Sequence, residues 1–94
     1  MSVEIYSLSD KKRERCLMKL STSDIHLLEK ELFLLKEKTG IYIDPYGTTR
    51  LYPDHGKILL NAIEHRKNVK NIISLMKIIQ DFIEKDEVLI FEGD

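Results

Sequence analysis

The sequence predicts an α+β fold, a small mixed sheet of about four or five strands with three helices packed on it. Three observations carry that expectation. Apolar and polar residues alternate over 3–8; apolar residues recur at helical spacing through 25–35 and again through 69–83; and 88–91 is an unbroken apolar run. At 94 residues the chain has the size of one domain, so residues 1–94 read as a single unit.

Run 3–8 (VEIYSL) is rich in strand formers and makes a first strand. A polar stretch follows, with Lys11, Lys12, Arg13 and Arg15. Residues 16–20 read as a second strand. A short helix capped by Ser9 is the alternative; the strand is preferred because the next helix carries its own start signal. Ser21 stands as an N-cap with Asp24 three residues on, a capping box with Asp in place of Glu, and Leu20 and Ile25 are placed for a hydrophobic staple. Ile25, Leu28, Leu32 and Leu35 form the stripe of a helix over about 22–38, and Gly40 supplies the left-handed residue that ends it.

Residues 41–52 read as a hairpin. Asp44, Pro45 and Gly47 fit the first, second and fourth positions of a type I turn, between strand-like flanks at 41–43 and 48–51. Pro53 opens a second helix where its missing N–H costs nothing, and Asp54 suits the positive end of the dipole. Leu59, Ala62 and Ile63 would face the core. Arg66, Lys67 and Asn68 form a hinge, with Asn68 capping a third helix. Val69, Ile72, Ile73, Met76, Ile79 and Ile83 keep helical spacing there, while Leu75, Ile78 and Phe82 widen the stripe beyond one packing face. Residues 87–91 then form a last strand, whose unalternated apolar run marks it as central and covered on both faces.

Composition narrows the function classes. A hydrophobic fraction of 43% is that of a globular domain, so disorder is not expected. A net charge of −1 argues against a duplex nucleic-acid binder, which needs a basic surface to displace counterions. The single cysteine, Cys16, permits no internal disulfide; no basic leader with an apolar run opens the sequence, and no apolar stretch approaches a membrane span. A cytoplasmic, reducing location and no membrane contact are the expectation. Chemistry-bearing motifs are lacking: His26, His55 and His65 have no metal-ligand spacing, the four glycines form no phosphate loop, and there is no nucleophile elbow. Cys16, although beside Arg15, reads as a packing residue. Asp44, Asp54 and His55 would be the set for a small enzyme, but turn and cap roles account for both aspartates. No catalytic residue, metal or cofactor is expected.

Segment 42–55 is the most unusual part of the chain. It holds Tyr42, Tyr46 and Tyr52 together with Arg50 and His55, and Tyr and Arg are the residues most enriched at binding hot spots. Tyr46 falls at the turn apex, where packing gives little reason for an aromatic; the competing reading has the tyrosines covering the adjacent helices. Around the last strand Glu84, Asp86, Glu87, Glu92 and Asp94 gather acidic charge, opposite in sign to the basic run at 11–15. The candidate partner-binding residues are therefore Tyr46, Arg50, His55, Glu87, Glu92 and Asp94. The wide stripe of the third helix would also suit a homodimer.

Run 39–55 (TGIYIDPYGTTRLYPDH), preceded by a leucine-rich helix and followed by an apolar one, resembles the small bacterial immunity proteins of contact-dependent inhibition and related polymorphic toxin systems. The resemblance implies tight binding to one toxin domain and occlusion of its active site. A non-catalytic inhibitor of this kind is the leading expectation. The alternative is a nucleic-acid-associated regulator, with Lys11, Lys12, Arg13 and Arg15 on phosphates and the tyrosines on bases.

Overall fold

The start signal at Ser21 folds as its residues dictate. Its backbone is extended, its Oγ accepts the Asp24 amide at 3.2 Å, and an Asp24 carboxylate oxygen accepts the Ser21 amide at 2.9 Å. This opens α1 (Thr22–Leu27) in the computed structural model, which describes residues 2–66 and 69–93. The single helix expected over 22–38 is in fact two. The backbone bends at Leu28 (φ −94°, ψ 6°) and α2 (Glu29–Thr39) resumes at once. The Leu28 and Leu32 amides still bond the Asp24 and Leu28 carbonyls, at 3.1 and 2.9 Å, so the ladder bends rather than ends. Leu28 is fully buried at the bend, and that tertiary packing is something residue spacing does not record. Gly40, at φ 80°, ends α2 by donating its amide to the Lys36 carbonyl.

Four strands form one sheet: β1 (Val3–Ser7), β2 (Met18–Leu20), β3 (Thr48–Leu51) and β4 (Leu89–Gly93), in the order β2-β1-β4-β3. All three neighbouring pairs are antiparallel, so the expected mixed sheet is corrected on that point. β4 takes the central place that its apolar run predicts, with Leu89, Ile90 and Phe91 all buried. Phe91 lies between Ile5 and Thr49 in the register. Pleating then sends Val3, Ile5, Leu51, Leu89 and Phe91 toward the helices, and Glu4, Tyr6, Thr48, Arg50, Ile90 and Glu92 to the opposite face.

The hairpin expected at 41–52 is half present. The turn forms, with the Gly47 amide on the Asp44 carbonyl at 3.3 Å and the Tyr46 amide on the Asp44 carboxylate at 2.9 Å. Its second arm is β3, but 41–43 is not a strand, and β3 pairs with β4 instead. The Thr49 hydroxyl donates to the Tyr42 carbonyl at 3.1 Å and accepts the Asp44 amide at 3.2 Å. One side chain thus holds the first arm where a strand ladder was expected, and Ile43 sinks into the core.

Pro53 begins α3 (Pro53–Ile63), which runs into a short 3-10 turn (Glu64–Arg66) and is followed by α4 (Lys70–Glu84). α3 lies between α2 and α4. Leu59 and Ile63 of α3 are fully buried, as their spacing predicts. On α4 the buried line runs through Ile72, Leu75, Ile79 and Phe82, while Val69, Ile73, Met76, Ile78 and Ile83 are half-buried. Part of the wide apolar stripe read from the sequence is therefore covered within the chain, with Met76, Ile78 and Ile83 packed against the core. The Asn68 cap, Lys67 of the hinge and Asp94 fall outside the described residues. Among the described residues, no helix is long and apolar enough to cross a membrane.

Candidate interaction face

A tight turn clamped to a central strand sets out the tyrosines. The Gly93 amide bonds the Gly47 carbonyl at 2.7 Å, and the turn lies so close that a Cβ on Gly93 would stand 2.1 Å from the Pro45 carbonyl oxygen. Gly93 has no side chain, and this contact requires that. Pro45 is buried under the turn, which leaves Tyr46 to project at 73% exposure. Tyr42 and Tyr52 on either side are 44% and 41% exposed. The competing reading of these rings as covers for the helices is thus wrong for Tyr46. The Tyr42 ring also receives the Lys36 ammonium at 5.2 Å from its centroid.

Two concavities flank the segment. A groove of about 990 Å³ separates α1 and α2 from the turn; Leu27, Phe33, Tyr42 and Tyr46 line it, and Lys30 and Arg66 stand at its edge. A shallower hollow of about 580 Å³ runs beside β3, bounded by Tyr42, Thr48, Arg50 and Tyr52. Phe33, 54% exposed, joins the tyrosines on the groove, with Leu34 partly exposed next to it on α2. Sequence reading missed both. The signal was available: Leu32 to Leu35 is four apolar residues in a row, twice what a stripe two positions wide can bury.

Arg66 is positioned by a buried acid that the sequence does not single out. Glu31 on α2 is only 5% exposed, and its Oε1 accepts from Arg66 Nε at 2.8 Å and lies 3.2 Å from His65 Nε2. Its other oxygen is buried without a partner. This contact fastens the 3-10 turn to α2 and fixes one wall of the groove.

Of the candidate residues, Tyr46 and Arg50 are exposed, and Arg50 makes no hydrogen bond or ion pair among the described residues. His55 is half-buried, edge-on to Tyr52 with centroids 5.8 Å apart, and its Nδ1 is buried without a partner. Glu87 sits in the turn into β4, with its amide on the Phe82 carbonyl at 2.9 Å, at the opposite end of the strand from the tyrosine-bearing turn. Glu92 lies on the outer sheet face beside Thr48, and its carboxylate is held by Arg13 Nε at 2.8 Å. The acidic stretch is therefore no free edge. β4 is flanked by strands on both sides, and one of its acids is already paired. The enzyme-like trio does not gather either: Asp44 works in the turn, Asp54 is placed 3.8 Å from Lys57, and neither Asp54 nor His55 lines either of the two concavities above. Among the described residues, no cluster of three or more His, Cys, Asp or Glu is arranged to hold a metal ion.

The basic run folds back over the outer face of the sheet. Asp10 accepts the Arg15 amide at 2.9 Å and the Glu14 amide at 3.2 Å, and its carbonyl takes Arg13 Nη1 at 2.8 Å. The Arg15 amide first, then the Glu14 amide and the Arg13 charge, hold the Asp10 carboxyl below the usual carboxylate range. Arg13 lies over the Tyr6 ring, 5.9 Å from its centroid. Tyr6 donates to Glu4 at 3.1 Å; desolvation first, and then this carboxylate, push its phenol pKa up. Lys11, Lys12 and Arg15 remain exposed, and the exposed Cys16 thiol donates to the Met18 carbonyl at 3.2 Å.

No protein-family model matches the chain, and no curated protein or solved structure matches it significantly.

Proposed function

We infer that this chain is a non-catalytic protein-binding domain, an immunity-type inhibitor that neutralises a toxin domain in the cytoplasm by covering its active site. One observation carries the reading. Phe33, Tyr42 and Tyr46 stand exposed around a groove, and in the adjoining hollow Arg50 has no partner among the described residues. Solvent-facing aromatics are costly to display unless they are covered by something else, and Tyr with Arg is the usual chemistry of interface anchors. The rigid mounting of Tyr46 on β4 lowers the entropic cost of binding through it. The nucleic-acid alternative has less support, because Arg13, the middle of the basic run, is engaged by Glu92 and Tyr6.

The test is co-expression with the product of the adjacent gene, which this reading expects to carry a toxin domain, followed by titration of the purified pair. Wild-type protein is expected to restore growth and bind in the nanomolar range. Tyr46→Ala with Arg50→Ala should weaken binding by a factor of about 30 or more, the scale of losing a hot spot of about 2 kcal/mol. Rescue by the double variant equal to wild type would place the interface elsewhere, and salt-sensitive binding to single-stranded nucleic acid would favour the regulator.

A further inference from the structure

β3 is an edge strand of the sheet, and segment 42–44 beside it is bonded to the Thr49 side chain rather than to the β3 backbone. The bond from the Gly93 amide to the Gly47 carbonyl sets the phase of the β3–β4 ladder, with bonded pairs at Gly47/Gly93, Thr49/Phe91 and Leu51/Leu89. The β1–β4 ladder gives the same phase independently. The Leu8 amide bonds the Val88 carbonyl at 2.9 Å, so alternate residues 88, 90 and 92 face β1, and 89, 91 and 93 face β3. The amides and carbonyls of Thr48 and Arg50 therefore point away from the sheet. Both residues are exposed, and neither amide donates to a described residue. The opposite edge, β2, is shorter, and the Cys16 thiol bonds its Met18 carbonyl.

An uncovered edge is a template for another extended chain. Side-chain chemistry specifies which one. Arg50 projects on the outer face with its charge unmatched among the described residues, so it repels a strand with a cation opposite and favours one with a carboxylate. The hollow along β3 offers Tyr42 and Tyr52 to the other side chains of the incoming segment. We propose that the partner protein docks by adding an extended acidic segment to β3, bonding the Thr48 and Arg50 backbones and setting an Asp or Glu beside Arg50. This rests on the protein-binding reading and adds the β3 edge, beside the aromatic groove, as a point of attachment.

The probe is a displayed library of random decapeptides panned on the immobilised domain, with the best binder then titrated into isotope-labelled protein. Enriched peptides are expected to carry an acidic residue, and binding should slow hydrogen exchange at the Thr48 and Arg50 amides. Thr48→Pro removes one outward amide while keeping the β3–β4 ladder, since an edge proline is tolerated where its N–H would face solvent. It should weaken the peptide roughly tenfold. Arg50→Glu, which leaves the backbone intact, should do the same and shift selection toward basic peptides. Three results would overturn the proposal: no enriched peptide, binders that ignore both variants, or amides protected only by concentration-dependent pairing of two copies of the chain. Loss of the toxin-domain interaction on Tyr46→Ala but not on Thr48→Pro would keep the protein-binding reading and remove the edge alone.

Discussion

The outer face of the sheet and the tyrosine-bearing turn use the same residue types to opposite ends. On the sheet, Arg13, Tyr6, Glu4 and Glu92 satisfy one another: guanidinium to carboxylate, guanidinium over ring, phenol to carboxylate. At the turn, Tyr46 and Arg50 are displayed and have no such partners among the described residues. The difference is that the chain completes one Tyr/Arg cluster itself and leaves the other displayed. A loop with one arginine at left-handed backbone (Arg13, φ 55°) is enough to complete it on the sheet.

The largest test of this contrast attacks the mounting of the turn. Gly93→Ala places a methyl where the Pro45 carbonyl stands, so the turn must leave β4; a loss of roughly 4 kcal/mol in urea unfolding is expected. Unchanged stability would mean that the turn is not clamped. Next, Tyr6→Ala should cost about 3 kcal/mol as a buried aromatic truncation, whereas Tyr46→Ala should stay within about 0.5 kcal/mol of wild type. Similar losses for the two would break the contrast. The arginines should divide the same way by a smaller margin. Arg13→Ala is expected to lower stability by about 1 kcal/mol, since its pair with Glu92 is part-exposed, and Arg50→Ala to leave it unchanged by the same measurement.

The smallest effect is pH-dependent. The folded pKa of Asp10 is depressed, so its contribution is complete above the unfolded carboxylate value of about 3.9 and is lost as pH falls through the lower folded value. Asp10→Asn should remove that part of the acid sensitivity. In the wild type the Asp10 carboxyl should titrate below the ordinary range by carbon-detected NMR, and an ordinary midpoint would show that the loop at 10–15 is not held as described.

What the sequence could disclose was what neighbouring residues decide. The capping box at Ser21, the glycine stop at Gly40, the proline start at Pro53 and the central place of β4 all follow from local chemistry, and all four are found. The bend at Leu28, the loss of strand at 41–43 and the pairing of Arg13 with Glu92 across 79 residues depend on groups far apart in the chain. The candidate site divides along the same line. Tyr46 sits on a turn whose residues announce it and Arg50 on the strand after it, whereas Phe33 enters the face because α2 buries Leu32 and Leu35, and Glu92 leaves the free acids because a distant loop returns to it.

β4 follows the other described elements in chain order and is one of the two inner strands of the sheet, so β1 and β3 meet no common neighbour until it is made. On the ribosome the helices can assemble first, but sheet closure waits for a contact spanning Val3 to Gly93, a slow, non-local step. The turn that displays Tyr46 is clamped by that same strand. The tyrosine-bearing turn and the β3 edge therefore acquire their shape only after β4 is made, and a chain stalled before β4 would hold neither in place.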